Sequence, residues 1–330
     1  MSRSRSRRVH EIQRILIERL ETGYESGRFP SARELSTRYG ISYQTADRLL
    51  RELAQQGYLE RRHGAGTFVA QRLARPPEKA RLIFNRRAER EGSFGHQLLE
   101  RLRACLEALS VPFTTVWHDV AGPVEDHEFA VAWEVPARLL EHAVERRRFA
   151  LLLNARPKPG FQATWVDAVA VDDFSGGVCA AQMFGPLGRK SPVAVLGGPR
   201  NDPRSQGRIA GFTSVVKSAV VVPAGTWFAD RAAPAARRLL YERPSAVFCC
   251  NDRLAQAVLT ACGTMNIKPP RIIGFDDAPV AQELGLSTVA LPWAALVETA
   301  VGIIARRLAG DTGHAAQVLL APRPVRRTSS

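Results

Sequence analysis

Over the first seventy residues the apolar positions repeat at helical spacing. Val9, Ile12, Leu16 and Leu20 form one face of an amphipathic helix expected to end near Gly23. A Gly/Pro loop, GRFP, follows at 27–30. Ser31 and Glu34 stand three apart, the spacing at which each side chain satisfies a free N–H at the start of a helix. That second helix is predicted to run to Tyr39 and stop at Gly40. Ser42 then caps a third helix, in which Ala46, Leu49, Leu50 and Leu53 fall at i, i+3, i+4 and i+7. Gly57 can supply its left-handed end. The opposite face of this helix carries Tyr43, Gln44, Asp47, Arg48 and Arg51. Tyr58 to Arg61 reads as a strand, His63 to Gly66 as a turn, and Thr67 to Val69 as the returning strand.

After Pro76 and Pro77 the period changes. Short apolar runs alternate with helical stretches: RLIF then GHQLLERLRACLEAL, FAVAW then ARLLEHAVERR, ALLLN, VDAVAVDD then GGVCAAQMF, PVAVLGG then GRIAGFTSVV, SAVFCC then RLAQAVLTAC, and RIIGF. Such alternation predicts parallel sheets covered on both faces. The expected fold is α/β: an N-terminal winged helix-turn-helix domain over 1–72, a linker over 73–80, and two doubly wound parallel-sheet subdomains over 81–323. The first subdomain takes about 81–170 and 292–318, the second about 171–291, and 324–330 form a basic tail. One connection is short. Only eleven residues separate TTVW (114–117) from FAVAW (129–133), fewer than a crossover helix needs, so that helix is expected to be lost or reduced to a turn.

Composition narrows the function. The 330 residues hold 46 Lys+Arg against 32 Asp+Glu, a formal net charge of +14. Residues 1–77 contribute +7 of it, so charge density is about three times higher at the front than behind. That balance favours an acidic polymer as partner. Five cysteines without CxxC spacing fit free thiols in a reducing compartment. The basic opening MSRSRSRR leads into no apolar h-region and no long apolar run follows, so a cytoplasmic protein without a membrane partner is expected. No GxSxG, HExxH or phosphate-loop motif is present, so no enzyme activity, cofactor or catalytic residue is expected. Asp126, His127 and Glu128 cluster in what reads as a solvated loop, and no metal site is expected.

A pair of short helices joined by a glycine turn is the helix-turn-helix pattern, whose second helix enters the major groove amino end first. Ser42, Tyr43, Gln44, Thr45 and Arg48 lie there. Gln can bond adenine bidentately and Arg guanine. Arg33 and the wing residues His63, Gly64 and Gly66 suit phosphate or minor-groove contact. Asp47 either accepts from cytosine or pairs with Arg51 at i+4. The run FPSARELSTRYGISYQTADRLLRELAQQGYLERRHGAGTFVA resembles the N-terminal domain of GntR-type transcription regulators. Tyr43 and Asp47 stand where that family usually or often has arginine, so its base preference is not carried over.

The rest resembles the effector domain of LacI-type repressors, itself similar to periplasmic sugar-binding proteins. The matching pieces are VAVDDFSGG (169–177), VAVLGGP (193–199), RSQGRIAGF (204–212), PSAVFCCNDRLAQAVL (244–259), RIIGFDDAP (271–279) and STVALPW (287–293), in family order. The resemblance implies Arg208 and Asp276 as ligand-binding residues on facing strand ends, with Asp277 structural. It implies Asn251 as either a ligand contact or the fixer of a turn, and Trp227 and Trp293 as either pocket walls or core. Phe94, Arg86 and Asn154 follow strands of the first subdomain and are further candidates. Leu291 and Pro292 replace polar residues common in the family before the aromatic at 293.

The function expected is a ligand-responsive transcription regulator. It is expected to be a homodimeric repressor that binds double-stranded DNA at a pseudo-palindromic operator and responds to a sugar or similar small polar effector. The alternative is a constitutive DNA-binding protein whose degenerate effector domain only dimerises.

Overall fold

A computed structural model of the protein describes residues 2–22, 27–55, 58–62, 65–69, 76–145, 148–157, 165–186 and 192–329. The chain divides into two compact units, Met1–Ala74 and Arg75–Ser330.

In the first unit, helices α1 (Ser2–Thr22), α2 (Ala32–Tyr39) and α3 (Tyr43–Gln55) precede a hairpin of β1 (Leu59–Arg62) and β2 (Gly66–Val69). The capping box of α2 is complete: Ser31 Oγ accepts from the Glu34 N–H, and the Ser31 N–H donates to Glu34 Oε2 at 2.6 Å. These bonds hold the Glu34 carboxyl below its ordinary value. Gly40 closes α2 with φ +61°, a conformation glycine adopts without strain. Ala46, Leu49, Leu50 and Leu53 are buried with Ile12, Leu16, Phe29 and Leu35 in one core. The basic opening read as part of an arm is helical from Ser2, so α1 begins well before Val9. Arg28 bridges Phe68, and the Phe29 N–H donates to the Thr67 carbonyl, so the GRFP loop adds a rung beside the wing. Gly23 and Gly57, expected to end α1 and α3, lie outside the described residues.

The second unit has two lobes. The first lobe's sheet has the order β13-β7-β6-β5-β3-β4, built from β3 (Lys79–Phe84), β4 (Phe113–Trp117), β5 (Glu128–Trp133), β6 (Ala150–Leu153), β7 (Val166–Val171) and β13 (Gln317–Leu320). All its pairings are parallel. The second lobe's sheet has the order β14-β12-β11-β10-β8-β9, from β8 (Val193–Gly197), β9 (Val220–Pro223), β10 (Ala246–Cys249), β11 (Arg271–Asp276), β12 (Ser287–Ala290) and β14 (Arg323–Val325). In both, the first five strands in chain order run 2-1-3-4-5, the doubly wound arrangement that leaves a crevice at the strand carboxyl ends.

Helices α4 (Phe94–Ala108) and α11 (Trp293–Leu308) cover one face of the first sheet, Leu98, Leu102, Leu296 and Ile304 packing on Leu82, Val131 and Leu151. The other face carries α5 (Arg138–Glu145) and, between β4 and β5, no helix at all. Val124 is buried there against Ile83 and Ala130, so a loop covers the surface that a crossover helix would cover. The second sheet is covered by α6 (Asp173–Met183), α7 (Pro203–Val215), α8 (Ala229–Tyr241), α9 (Asp252–Thr264) and α10 (Pro279–Glu283). The chain passes between the lobes three times, at Asp172, at Leu291–Pro292 and at Ala321–Pro322.

Several boundaries differ from the sequence reading. Lys79 and Ala80, assigned to the linker, begin β3. The segment read as a basic tail is integral: β14 pairs antiparallel with β12, and the Ser329 carbonyl accepts from the Ile272 N–H. Glu128 is not in a solvated loop; it opens β5, buried, and pairs with Arg81 at 2.9 Å and Lys79 at 3.3 Å. A buried pair with no signature in the local pattern, Arg307 with Asp167 at 2.9 Å, ties α11 to β7. The same guanidinium donates to three carbonyls of the turn before β13.

Candidate functional site

The outer face of α3 is the first candidate. Tyr43, Gln44 and Arg48 are exposed, and Tyr43 keeps 58 % of its surface open although its ring is large and apolar. Ser42 Oγ accepts from the Thr45 N–H and shares a 2.8 Å bond with the Thr45 hydroxyl, so both residues are engaged in the cap. Arg33 is exposed on the first turn of α2. Gly66 starts β2 at φ +116°, and a side chain there would press on Arg28. His63 and Gly64 lie outside the described residues. Asp47 is committed inside the unit. It pairs with Arg51 at 3.0 Å, as the i+4 spacing allows, and with Arg61 of the wing strand at 3.0 Å, a partner the helix pattern could not disclose.

The second candidate is the cleft between the lobes, about 760 Å³ of empty space with the open solvent at its mouth included, a size within the range of small-molecule sites. Local sequence explains its geometry. Gly177 of α6 and Gly211 of α7 face each other so closely that a Cβ on either would meet backbone within 2.1 Å. That approach brings Arg208 of α7 to Asp173 of α6, where Nε donates at 2.8 Å. Arg208 therefore sits on a helix, not on a strand end as expected. Its Nη1 donates to the Cys250 carbonyl at 2.6 Å and to Asp276 Oδ1 at 3.1 Å, and its guanidinium lies 3.7 Å from the Phe275 ring centre. Asp276 ends β11 with φ 106° and Asp277 follows with φ 56°, left-handed conformations that strain non-glycine residues. Burial pushes the Asp276 and Asp173 carboxyls up, and Arg208 opposes that shift in both.

Asn251 caps α9: its Oδ1 accepts from the Leu254 N–H at 2.8 Å and its Nδ2 donates to the Trp227 carbonyl at 3.1 Å. The Trp227 ring lies over Gly198, where a Cβ would come within 2.7 Å of it, and its Nε1 donates to Asp202 at 2.9 Å. Trp293 and Phe94, the first residues of α11 and α4, pack at 4.9 Å between centroids. All six expected residues, Arg208, Asp276, Asn251, Trp227, Trp293 and Phe94, line the cleft, and Leu291 lines it too. Arg86 and Asn154 do not: Arg86 turns to Asp119 and Glu89, and Asn154 accepts from the Val171 N–H. Asp277 pairs with Arg327 at 2.8 Å.

Sequence reasoning missed a second layer. Glu134 follows β5 and meets Arg87 at 3.0 Å and Arg204 at 2.6 Å, and Arg204 pairs with Asp202 at 2.7 Å. This chain of charges runs from the first lobe into the second. Burial alone would raise Asp202, but Arg204 and Trp227 overcome it and hold the carboxyl at about 2. Asp252, at the start of α9, is fully buried. Its oxygens accept from Thr288 Oγ1 at 2.6 Å and the Ala278 N–H at 2.8 Å, and burial, then the neighbouring Asp276, lift its carboxyl to about 8. Arg204 and Asp252 stand inside the quoted motifs, but their family resemblance marked the motif rather than the partner each side chain would find. No cluster of metal-ligating side chains occurs among the described residues.

Residues 10–69 match the bacterial regulatory proteins of the gntR family, and residues 187–330 match the periplasmic binding protein-like domain. The chain thus joins a GntR-type helix-turn-helix domain to a periplasmic-binding-protein-like domain. It is 27 % identical over 209 residues to the HTH-type transcriptional repressor PurR of Salmonella paratyphi B, a match that takes 59 % of this chain and spans only 60 % of that relative's length. Among solved structures, a LacI transcriptional regulator from a Rhodococcus species superposes with TM-score 0.61 and 22 % identity, over 76 % of this chain and 97 % of the other. A LacI-family regulator from Enterococcus faecalis with bound ribose gives TM-score 0.64 and 19 % identity, over 76 % and 98 %. These two share the fold.

Proposed function

We propose that the protein is a transcription regulator that binds double-stranded DNA through the outer face of α3 and binds a small polar ligand in the cleft between its lobes. The observation that carries this reading is the division of α3 itself. Its apolar stripe is wholly buried, whereas Tyr43, Gln44 and Arg48 stand exposed at and near its amino end with hydrogen-bonding groups suited to base edges. A homodimer would present two such helices to a pseudo-palindromic operator, and the relationship to PurR supports repression as its sense. The ribose bound by the Enterococcus relative supports a sugar-sized ligand here. Such a protein works in the cytoplasm; among the described residues no helix is long and apolar enough to cross a membrane.

Closure of the lobes on a ligand would change the spacing of the two DNA-binding domains, a coupling of about 1–3 kcal/mol. The test is selection of duplexes from a random pool by the full-length protein. One sequence should be enriched, its binding should weaken with a log–log salt slope of about −5 if six phosphates are contacted, and a small ligand should release or tighten it. Enrichment of no sequence would refute the reading. A second reading, a constitutive DNA-binding protein whose rear domain only dimerises, is favoured by one feature: Arg208, Asp173 and Asp276 already satisfy one another without a ligand. Sequence-selective binding that no ligand alters would support it.

A further inference from the structure

Four arginines line the cleft, and three of them have carboxylate partners. Arg87 has Glu134, Arg204 has Asp202 and Glu134, and Arg208 has Asp173 and Asp276. Arg253 has none: among the described residues it makes no hydrogen bond or ion pair. It is half-buried on the first turn of α9, its guanidinium close against Gly92 of the opposite lobe.

A second cation approaches the same ring as Arg253. Arg90, which follows the 3₁₀ turn Arg86–Glu89 of the first lobe, lies 3.6 Å from the centre of the Phe228 ring, and Arg253 lies 5.8 Å from the same ring. Asp230 reaches Arg90 only at 4.0 Å, and about half or more of each of those side chains is exposed. Burial, then the positive charge of Arg90, depress the basicity of the Arg253 guanidinium. Asp276 and Asp230 attract the Arg253 guanidinium, but neither forms an ion pair with it, so two like charges across a lobe boundary, one of them partly desolvated, leave room for an added anion. The Nε1–H of Trp133, a side chain 2 % exposed that lines the same cleft, has no acceptor. The amino end of α9 adds its own partial positive charge.

We propose that the cleft takes a ligand bearing an acid group, a carboxylate or a phosphate, which Arg253 receives at the amino end of α9 while Phe94, Trp227 and Trp293 hold an uncharged body. The proposal rests on the small-ligand reading above and specifies its chemistry. Arg253 is a binding residue that the unliganded fold does not use. Its guanidinium fork matches the geometry of either acid group.

The test is thermal unfolding of the full-length protein at constant ionic strength with three probes at equal concentration: ribose, ribonate and ribose 5-phosphate. At least one acid should raise the unfolding temperature where ribose does not, and the acid that succeeds tells carboxylate from phosphate. Arg253→Gln should weaken that acid's binding about 10-fold or more, and Arg253→Lys should restore part of it. The basic front domain is the same in all variants, so differences between them report the cleft. Without ligand, Arg253→Gln should unfold at the wild-type temperature or above, because the lost side chain made no hydrogen bond or ion pair and its desolvated charge is removed.

Four results would overturn the proposal. Ribose as effective as its acids would leave a small-ligand site standing without the anion. A full acid response in Arg253→Gln would place the acid elsewhere. A wild type that responds to neither acid would remove the anionic ligand. An unliganded Arg253→Gln less stable than wild type would make Arg253 structural.

Discussion

Glu134 of the first lobe and Arg204 of the second meet at 2.6 Å across the cleft. The contact has no backbone counterpart nearby in sequence, so its strength depends on how the lobes sit. Glu134→Gln removes the charge that Arg87 and Arg204 share, leaving Arg204 with Asp202 alone and Arg87 without its carboxylate. The pair is about four-fifths buried, so the expected loss is on the order of 1–3 kcal/mol in urea unfolding. Small-angle scattering of the unliganded variant should show a larger radius of gyration. A variant as stable and as compact as wild type would mean that this ion pair does not hold the lobes.

Arg208 and Asp276 were each expected to bond a ligand on its own, and their 3.1 Å contact makes them unequal instead. Asp276→Asn leaves Arg208 its bonds to Asp173 and the Cys250 carbonyl, so a loss of about 1 kcal/mol is expected. Arg208→Ala leaves two buried carboxylates without their cation, and the loss should reach about 3–5 kcal/mol. Acid should partly rescue Arg208→Ala by protonating Asp173 and Asp276. Equal losses in chemical denaturation, or no rescue at mildly acid pH, would contradict the arrangement.

Asp252 gives the rear domain a pH dependence of defined sign. Its carboxyl titrates near 8 when folded and near 3.8 when unfolded, so the folded chain holds the extra proton between those values. Stability attributable to this group therefore falls as pH rises from about 4 to about 8, by up to about 1.4 kcal/mol per pH unit, and levels off above. Asparagine imitates the protonated acid: its oxygen can accept from the Ala278 N–H while its amide donates to Thr288. Asp252→Asn should fold at neutral pH and flatten that slope. An unchanged pH profile in the variant would show that Asp252 ionises normally in the fold.

The Asp47 contacts bear on DNA. Asp47→Ala frees Arg51 and Arg61, each about half exposed, at a cost to stability of about 1 kcal/mol or less. Affinity for duplexes of unrelated sequence should rise, and the log–log salt slope should steepen by about 1–2. Fluorescence anisotropy at several salt concentrations measures both. A slope unchanged from wild type would show that neither arginine reaches phosphate.

The legible parts of the molecule were those set by local periodicity. Ser31, Gly40 and the Ala46–Leu53 stripe announced their helices because caps and apolar faces act within one element. The motifs around Arg208, Asn251 and Asp276 located the cleft, since strand carboxyl ends collect there in a doubly wound sheet. Partners were not legible. Arg61 finds Asp47, and Arg204 finds Glu134 seventy positions away, through packing of whole elements. Neither β9 nor α8 stood out. β9 is short with two of its valines exposed, and α8 is alanine-rich with a proline inside. The basic tail misled because charge reads as solvation, whereas Arg326 and Arg327 donate to backbone carbonyls of the second lobe.

Three links join the lobes, at Asp172, at Leu291–Pro292 and at Ala321–Pro322. A single tether would leave the lobes free to swivel, and two would still permit a roll. Three short cords, two of them stiffened by a proline ring, behave as a flexure with one soft axis. If the cleft binds a ligand as proposed, its closure would have to pass through these three links, and the loss of one charge at Glu134 would be felt there as a change in how the lobes rest.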